Sequence, residues 1–223
     1  CVAYDGMERF FEKDKIILTG NPVRQGLRNH HISREEAIRS FGLDPSKKTI
    51  LIVGGSLGAR TINNCVMEGL DKIKASGAQF IWQTGKIYIG EARAAVAQAG
   101  ELPMLHVTDF ISDMAAAYSA ADLIISRAGA GSISEFCLLQ KPVILVPSPN
   151  VAEDHQTKNA LALVDKDAAI YVKDAEAEEK LLPAALDTVK DSDKLKELSN
   201  NIARLALPDS ATVIAKEVLK LIK

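Results

Sequence analysis

The protein has 223 residues, of which 47% are hydrophobic and 25% charged, a composition typical of a globular protein and not of a disordered one. Its formal charge is -2 and it has no cluster of Lys or Arg. Because a nucleic-acid binder must neutralise several phosphates at once, nucleic acid is not expected as a partner.

The three cysteines are far apart and show no ligand-like spacing to the histidines, so neither a disulfide framework nor a zinc site is indicated. We therefore expect no metal and no cofactor, and a reducing cytoplasm as the location. No apolar run approaches the roughly 20 residues that span a bilayer, and no signal-peptide pattern is present. Because the chain begins with Cys1 instead of Met, we interpret it as a piece of a longer protein.

Near the N-terminus, KIILTGNPVRQG indicates a strand followed by a turn rich in Pro and Gly, which is typical of a linker. Arg24 in this linker is either a solvated charge or a donor that reaches an anion across a cleft. SREE then predicts a helix in which Ser33 and Glu36 form a capping box.

Short apolar runs then alternate with segments of helical periodicity, and most runs are apolar at consecutive positions, as in strands covered on both faces. This pattern predicts an α/β fold with a doubly wound, six-stranded parallel sheet of the Rossmann-like type. The predicted strands are 49–54, 79–83, 103–107, 122–126, 142–146 and 168–172. One helix is expected to bury the stripe Ile62, Val66, Leu70 and Ile73. Three C-terminal helices follow in 175–222, with breaks near 183–191 and at 208–210.

In an open parallel sheet, ligands bind at the carboxyl ends of the strands, where loops enter helices. GGSLGAR follows the first of these strands, so backbone N–H groups around Ser56 could face a diphosphate. The alternative is that its glycines only make a tight turn. The motif is neither a P-loop nor the dinucleotide fingerprint, and Gln83 and Thr84 stand where an acidic residue would bind an NAD ribose.

RAGAGSISE follows the fourth strand and places four small residues before Ser132. Ser132 and Glu135 fit a capping box, in which Glu135 would bond only to the backbone. Alternatively, the two oxygens of Glu135 accept hydrogen bonds from the vicinal hydroxyls of a ribose. The small residues would leave space for the rest of the nucleotide.

PSPNVAEDHQT follows the fifth strand and places His155 and Gln156 in the first turn of the next helix. The amide of Gln156 either binds sugar hydroxyls or is satisfied by the backbone. In TDFISDM, Ser112 is an N-cap candidate. Ile111 is expected in the core unless its backbone lines a base pocket.

Six segments occur in order and closely resemble the C-terminal half of the MurG family, bacterial transferases that move N-acetylglucosamine from UDP to lipid I to form lipid II. They span about residues 16–172 and read TGNPVR, GGSLGAR, QTGK, DFISDMAAAYSAADLIISRAGAGSISE, VILVPSP and EDHQTKNA. The chain departs from the family at Leu57, where Gln is usual, and at Gly131 and Ser132, where bulkier residues are usual.

The resemblance implies one lobe of a two-domain GT-B glycosyltransferase that inverts the anomeric centre. Residues 1–22 would then be the remnant of the N-terminal domain and the linker, and 23–223 the domain that binds the UDP-sugar donor. The substrate-binding residues implied are Arg24, Ser56, Ile111, Ala130, Gly131, Ser132, Ile133, Ser134, Glu135 and Gln156.

The implied partners are UDP-GlcNAc as donor and lipid I as acceptor, with the full-length protein peripheral on the cytoplasmic face of the inner membrane through its N-terminal half. The catalytic base would also lie in that half, so we expect no transfer by this chain alone. Three other functions remain open: another UDP-sugar enzyme such as a 2-epimerase, a non-catalytic nucleotide-sugar binding module, and an NAD-dependent dehydrogenase domain.

Overall fold

A computed structural model describes residues 1–3, 7–28 and 32–222. Its centre is one six-stranded sheet in which all neighbouring strands are parallel. The strands are β1 Thr49–Val53, β2 Gln79–Gln83, β3 Leu105–Thr108, β4 Leu123–Ser126, β5 Val143–Leu145 and β6 Ile170–Tyr171. Their order is β3-β2-β1-β4-β5-β6, the Rossmann arrangement, so the predicted fold class is confirmed.

The helices cover both faces of this sheet. They are α1 Gln25–Arg28, α2 Arg34–Ser40, α3 Arg60–Glu68, α4 Leu70–Ala75, α5 Ile89–Ala99, α6 Met114–Ala120, α7 Ala130–Leu138, α8 His155–Val164, α9 Ala177–Lys190, α10 Ser192–Ala203 and α11 Ser210–Leu219. The three predicted C-terminal helices are present, but α9 continues through Pro183 and ends only before Asp191. Leu182 and Ala185 are buried on either side of the proline, and this packing holds the helix together.

The sheet is apolar at consecutive positions because each face has its own core. Leu51 and Ile124 face one layer, which is closed by α2, α6, α7 and α8. Ile50 and Ile52 face the other layer, which is closed by α3, α4, α5 and α9. Each of these side chains is fully buried and contributes about 1.5–3 kcal/mol through the hydrophobic effect.

The predicted helical stripe that begins at Ile62 is buried at all four positions, but it lies on two helices. Gly69 ends α3 and α4 begins at the next residue. A Cβ atom at Gly69 would lie 2.0 Å from Cδ1 of Leu182. The glycine therefore allows α9 to pack closely where the helix is interrupted.

The N-terminal segment contains little regular structure in its described residues. The strand predicted there is reduced to a single bridge between Val2 and Leu18. Farther along, the capping box of Ser33 and Glu36 is confirmed at the start of α2. None of the helices described in 1–3, 7–28 and 32–222 has the length and apolar character required to cross a membrane.

Candidate functional site

Five loops that follow β1 to β5 lie at the same edge of the sheet, because all the strands are parallel. The strand order reverses between β1 and β4, which are neighbours at the centre. Ligands of open α/β sheets bind at this reversal point. The glycine-rich loop after β1 and the start of α7 after β4 therefore flank the expected ligand position.

The glycine-rich loop after β1 has a conformation that its glycines permit. Gly55 and Gly58 have φ angles of 80° and 83°, a region that other residues rarely adopt. A Cβ atom at Gly58 would lie 2.1 Å from the main-chain oxygen of Thr84. The tight-turn interpretation thus accounts for Gly58. Ser56 lies in the same loop and is exposed.

Side chains from β2 and α3 hold this loop and its neighbour in place. The Gln83 Nε2 donates to the main-chain oxygens of Gly55 at 3.1 Å and Asp109 at 3.4 Å. Asn63 donates to Thr84 O at 2.8 Å. Both side chains are buried, so these hydrogen bonds are shielded from competing water.

Helix α7 begins at Ala130, with Gly129 as its N-cap, so Ser132 is already the third helical residue. The capping-box alternative for Ser132 and Glu135 is therefore wrong, because the small residues before Ser132 themselves enter the helix. The first N–H groups of a helix have no carbonyl partner within it. The N–H groups of Gly131 and Ser132 therefore face the carboxyl edge of the sheet with the positive end of the helix dipole.

The carboxylate of Glu135 has two side-chain neighbours from other parts of the fold. The hydroxyl of Tyr118, on α6, donates to its Oε2 atom at 2.7 Å. Nη2 of Arg24 lies 3.9 Å from its Oε1 atom. The Glu135 side chain is 18% exposed and that of Arg24 is 76% exposed. The Glu135 side chain is thus partly exposed beside a cation, an arrangement that suits recognition of hydroxyl groups.

Ile133 and Ser134, two of the predicted binding residues, make contacts within the fold. Ile133 is 1% exposed in the core, and its N–H donates to Gly129 O at 3.0 Å. The Ser134 hydroxyl donates to Ala130 O at 3.0 Å and accepts from Asn21 Nδ2 at 3.3 Å. Both residues therefore secure α7 within the fold.

A groove with a volume of about 420 Å³ lies between the segment of Arg24 and α1 on one side and the start of α6 on the other. Arg24 and Leu27 line one side, and Ser112 and Met114 are among the residues on the other. The side chain of Ile111 is buried in the core.

The start of α6 differs from the predicted one. The N-cap of α6 is Asp113, which accepts from Ala116 N at 2.9 Å, so the prediction of Ser112 as N-cap is wrong by one residue. The carboxylate of Asp113 is a stronger hydrogen-bond acceptor than a hydroxyl, and its negative charge is stabilised by the positive end of the helix dipole.

Gln156 lies in the first turn of α8, as predicted, and connects two loops. Its Oε1 atom accepts from Ala128 N at 3.2 Å and from Ser148 N at 2.9 Å. The same amide carries an NH₂ group that takes no part in these two bonds. The alternative in which the backbone satisfies the Gln156 amide therefore holds for its oxygen. The NH₂ group is the part of the amide that a hydroxyl group can contact.

Sequence reasoning predicted no contact for three polar residues at this edge: Tyr118, Gln83 and Arg127. Arg127 follows β4 directly, and its guanidinium donates to the carbonyl of Val146 at 3.0 Å and forms an ion pair with Asp174. The sequence signals were present: a lone tyrosine in an alanine-rich helix, and polar residues at the end of an apolar strand or immediately after one.

The fold described above has a partly exposed carboxylate and a groove at the carboxyl edge of its sheet. The chain matches a known class of glycosyltransferase domain. Residues 49–214 match the model of the glycosyltransferase family 28 C-terminal domain, and the chain is a member of that family.

The chain is also similar, over nearly its whole length, to a bacterial transferase. A relative from Phocaeicola vulgatus, UDP-N-acetylglucosamine--N-acetylmuramyl-(pentapeptide) pyrophosphoryl-undecaprenol N-acetylglucosamine transferase, is 90% identical over 221 residues. That match covers 99% of this chain and 59% of the relative, so the chain spans less than two thirds of its length. The resemblance to the MurG family is thereby confirmed.

Solved structures agree with this family membership. The crystal structure of MurG from Acinetobacter baumannii is 29% identical, with a TM-score of 0.70 over 85% of this chain and 53% of that chain. The prediction of one lobe of a GT-B glycosyltransferase is confirmed. UDP-GlcNAc 2-epimerase from Neisseria meningitidis, solved with UDP-GlcNAc bound, has a TM-score of 0.65 over 96% of this chain and 57% of that chain. It is only 16% identical, and its likeness concerns the fold alone.

Proposed function

We propose that this chain binds UDP-GlcNAc as the donor lobe of an inverting transferase. In the whole protein, N-acetylglucosamine would pass to the C4 hydroxyl of lipid I and form lipid II for peptidoglycan synthesis. The family membership of residues 49–214 supports the reaction class. The name of the relative from Phocaeicola vulgatus supports the donor and the acceptor.

The observation that carries the proposal is the position of the Glu135 carboxylate. It lies on α7, beyond the first turn, and its contacts are Tyr118 and Arg24 instead of the helix backbone. A carboxylate that does not cap its helix and remains partly exposed suits the 2′ and 3′ hydroxyls of a ribose. In this proposal the base occupies the groove beside Arg24, and the backbone of Ile111, which directly precedes the groove residue Ser112, would bind uracil.

The diphosphate would lie between the glycine-rich loop and the start of α7. Ser56 contributes from the loop, and N–H groups in the segment from Ala130 to Ser132 contribute from the helix. Negative charge develops on the UDP leaving group as the bond from C1 to the diphosphate oxygen breaks. Amide donors and the positive end of a helix dipole stabilise that charge without reorganising. The NH₂ group of Gln156 would donate to a hydroxyl of the sugar.

Two further parts of the proposal concern the whole protein. Residues 1–22 are assigned to the end of an N-terminal domain and the linker, and 23–223 to the donor-binding domain. That N-terminal domain would hold lipid I and the catalytic base and would attach the protein to the cytoplasmic face of the inner membrane. This chain alone should therefore bind donor without transferring sugar.

Isothermal titration calorimetry of the 223-residue chain tests the donor assignment. UDP and UDP-GlcNAc should bind, and UDP should bind about tenfold or more tightly than ADP, since the groove must distinguish the bases by hydrogen bonds. NAD serves as the control for a dehydrogenase domain. Binding of ADP or NAD as tight as that of UDP would contradict the proposal.

A further inference from the structure

Tyr118 is a buried side chain whose polar end reaches the proposed nucleotide site. It is 3% exposed and lies on α6, with its ring at right angles to that of Phe136 and the centroids 5.9 Å apart. Its hydroxyl donates to Oε2 of Glu135 at 2.7 Å. The phenol is thus fixed by packing at one end and by a hydrogen bond at the other.

The direction of this hydrogen bond is determined by the surroundings of Tyr118. Burial and the nearby negative charge of Glu135 both raise the pKa of the Tyr118 hydroxyl well above its ordinary value of 10.0. Tyr118 therefore remains a neutral donor at physiological pH, and Glu135 remains the acceptor. Hydrogen bonds to an ionised acceptor are shorter and stronger than neutral ones.

The other neighbour of the carboxylate holds it much less firmly. Arg24 lies 3.9 Å away, and its side chain is 76% exposed. Exposed ion pairs are weakened by solvent and by the entropy of long side chains. A terminal carboxylate torsion is broad and roughly two-fold, so a single firm hydrogen bond largely determines its orientation. That bond comes from Tyr118.

We propose that Tyr118 is a positioning residue, which orients the Glu135 carboxylate so that Oε1 presents its lone pairs to the ribose hydroxyls of a uridine nucleotide. The inference rests on the proposed function and adds to it a residue that does not touch the ligand. Without the phenol hydroxyl, the carboxylate rotates among several orientations and loses part of its affinity for the hydroxyls.

The test compares Tyr118→Phe with the unmodified chain, using UDP and 2′,3′-dideoxy-UDP as calorimetric ligands. Phenylalanine keeps the ring and its packing and removes only the hydroxyl. Tyr171→Phe, the same change on β6, is the matched control. Tyr118→Phe should weaken UDP binding about 3- to 10-fold, the effect of one hydrogen bond, and leave dideoxy-UDP binding unchanged. Tyr171→Phe should alter neither.

Because both ligands are measured on the same variant, a general loss of stability would affect them equally and cannot imitate this result. Equal weakening of both ligands, or none, by Tyr118→Phe would overturn the positioning role while leaving the proposed function intact. Equal binding of UDP and dideoxy-UDP by the unmodified chain would overturn the ribose contact of Glu135, and the inference with it.

Discussion

Substitution of Glu135 separates its proposed ribose contact from its contribution to folding. Glu135→Ala removes both the carboxylate and the acceptor of the Tyr118 hydroxyl. Glu135→Gln removes the charge but keeps an oxygen at the position where Tyr118 donates. The pair of variants therefore distinguishes a ligand contact from a structural one.

The expected magnitudes follow from the two contacts. A hydrogen bond to a charged group contributes about 1.5–3 kcal/mol, so Glu135→Ala should weaken UDP binding roughly 10- to 150-fold. The same change leaves the buried Tyr118 hydroxyl without its acceptor, which costs about 1–3 kcal/mol of folding stability. For a domain of this size, each kcal/mol lowers the melting temperature by about 2–4 °C.

Glu135→Gln should have smaller effects than Glu135→Ala on both UDP affinity and folding stability. A neutral amide oxygen is a weaker acceptor than a carboxylate, so UDP binding should weaken about 5- to 10-fold. The melting temperature should fall by only about 2–4 °C or less, since Tyr118 keeps its partner. Calorimetry with UDP and thermal unfolding of the free chain measure the two quantities. Glu91→Gln, an exposed position on α5, is the control and should change neither.

The outcome that would refute this reasoning is specific. If Glu135→Gln binds UDP as the unmodified chain does, and Glu135→Ala changes only the melting temperature, Glu135 serves only to satisfy Tyr118. The ribose contact would then have to be assigned to another residue.

Two further predictions concern backbone geometry and thiol chemistry. Gly58→Ala should lower stability by about 2 kcal/mol or more, because φ is 83° and the new Cβ atom would meet main-chain oxygen at 2.1 Å. Gly90→Ala, inside α5 with open space around it, should be neutral or slightly stabilising, and equal melting temperatures for the two would contradict the loop geometry. Burial raises the pKa of Cys65 and Cys137 to about 11, whereas Cys1 is exposed. Only roughly one in a thousand of the buried thiols is ionised at pH 8, so a thiol reagent should modify Cys1 quickly and the other two only after denaturation. Rapid modification of all three in the folded chain would show that the core opens readily.

The sheet was predictable because its signal is local and repeated. Runs such as that of β2, predicted as 79–83, match the structure at both ends. The third run was predicted to begin at Pro103, but β3 begins at Leu105, because residues 103 and 104 form a turn. Apolar composition shows that a strand is present. The residue at which the strand begins depends on its first hydrogen bond to the neighbouring strand.

The side-chain contacts of the site were predictable only in part. The parallel strands imply that Ser56, Glu135 and Gln156 lie near the same edge, and the structure has their loops there. The hydrogen bond between Tyr118 and Glu135 joins two helices and depends on how these pack, which periodicity does not describe. The same S-x-x-E pattern caps α2 but not α7, because small residues before Ser132 extend that helix toward the N-terminus.

The hydrogen bonds made by Gln83, Asn63 and Gln156 connect neighbouring segments at the carboxyl edge of the sheet directly. These bonds come from the protein itself, so the fold holds the loops around the proposed nucleotide site in place. Binding of a ligand would therefore lose little conformational entropy in these segments. More of the free energy of the contacts between protein and ligand would then appear as affinity. In the proposed donor lobe, these loops would thus move little during the reaction, and motion between the two proposed lobes would arise in the segment that joins them.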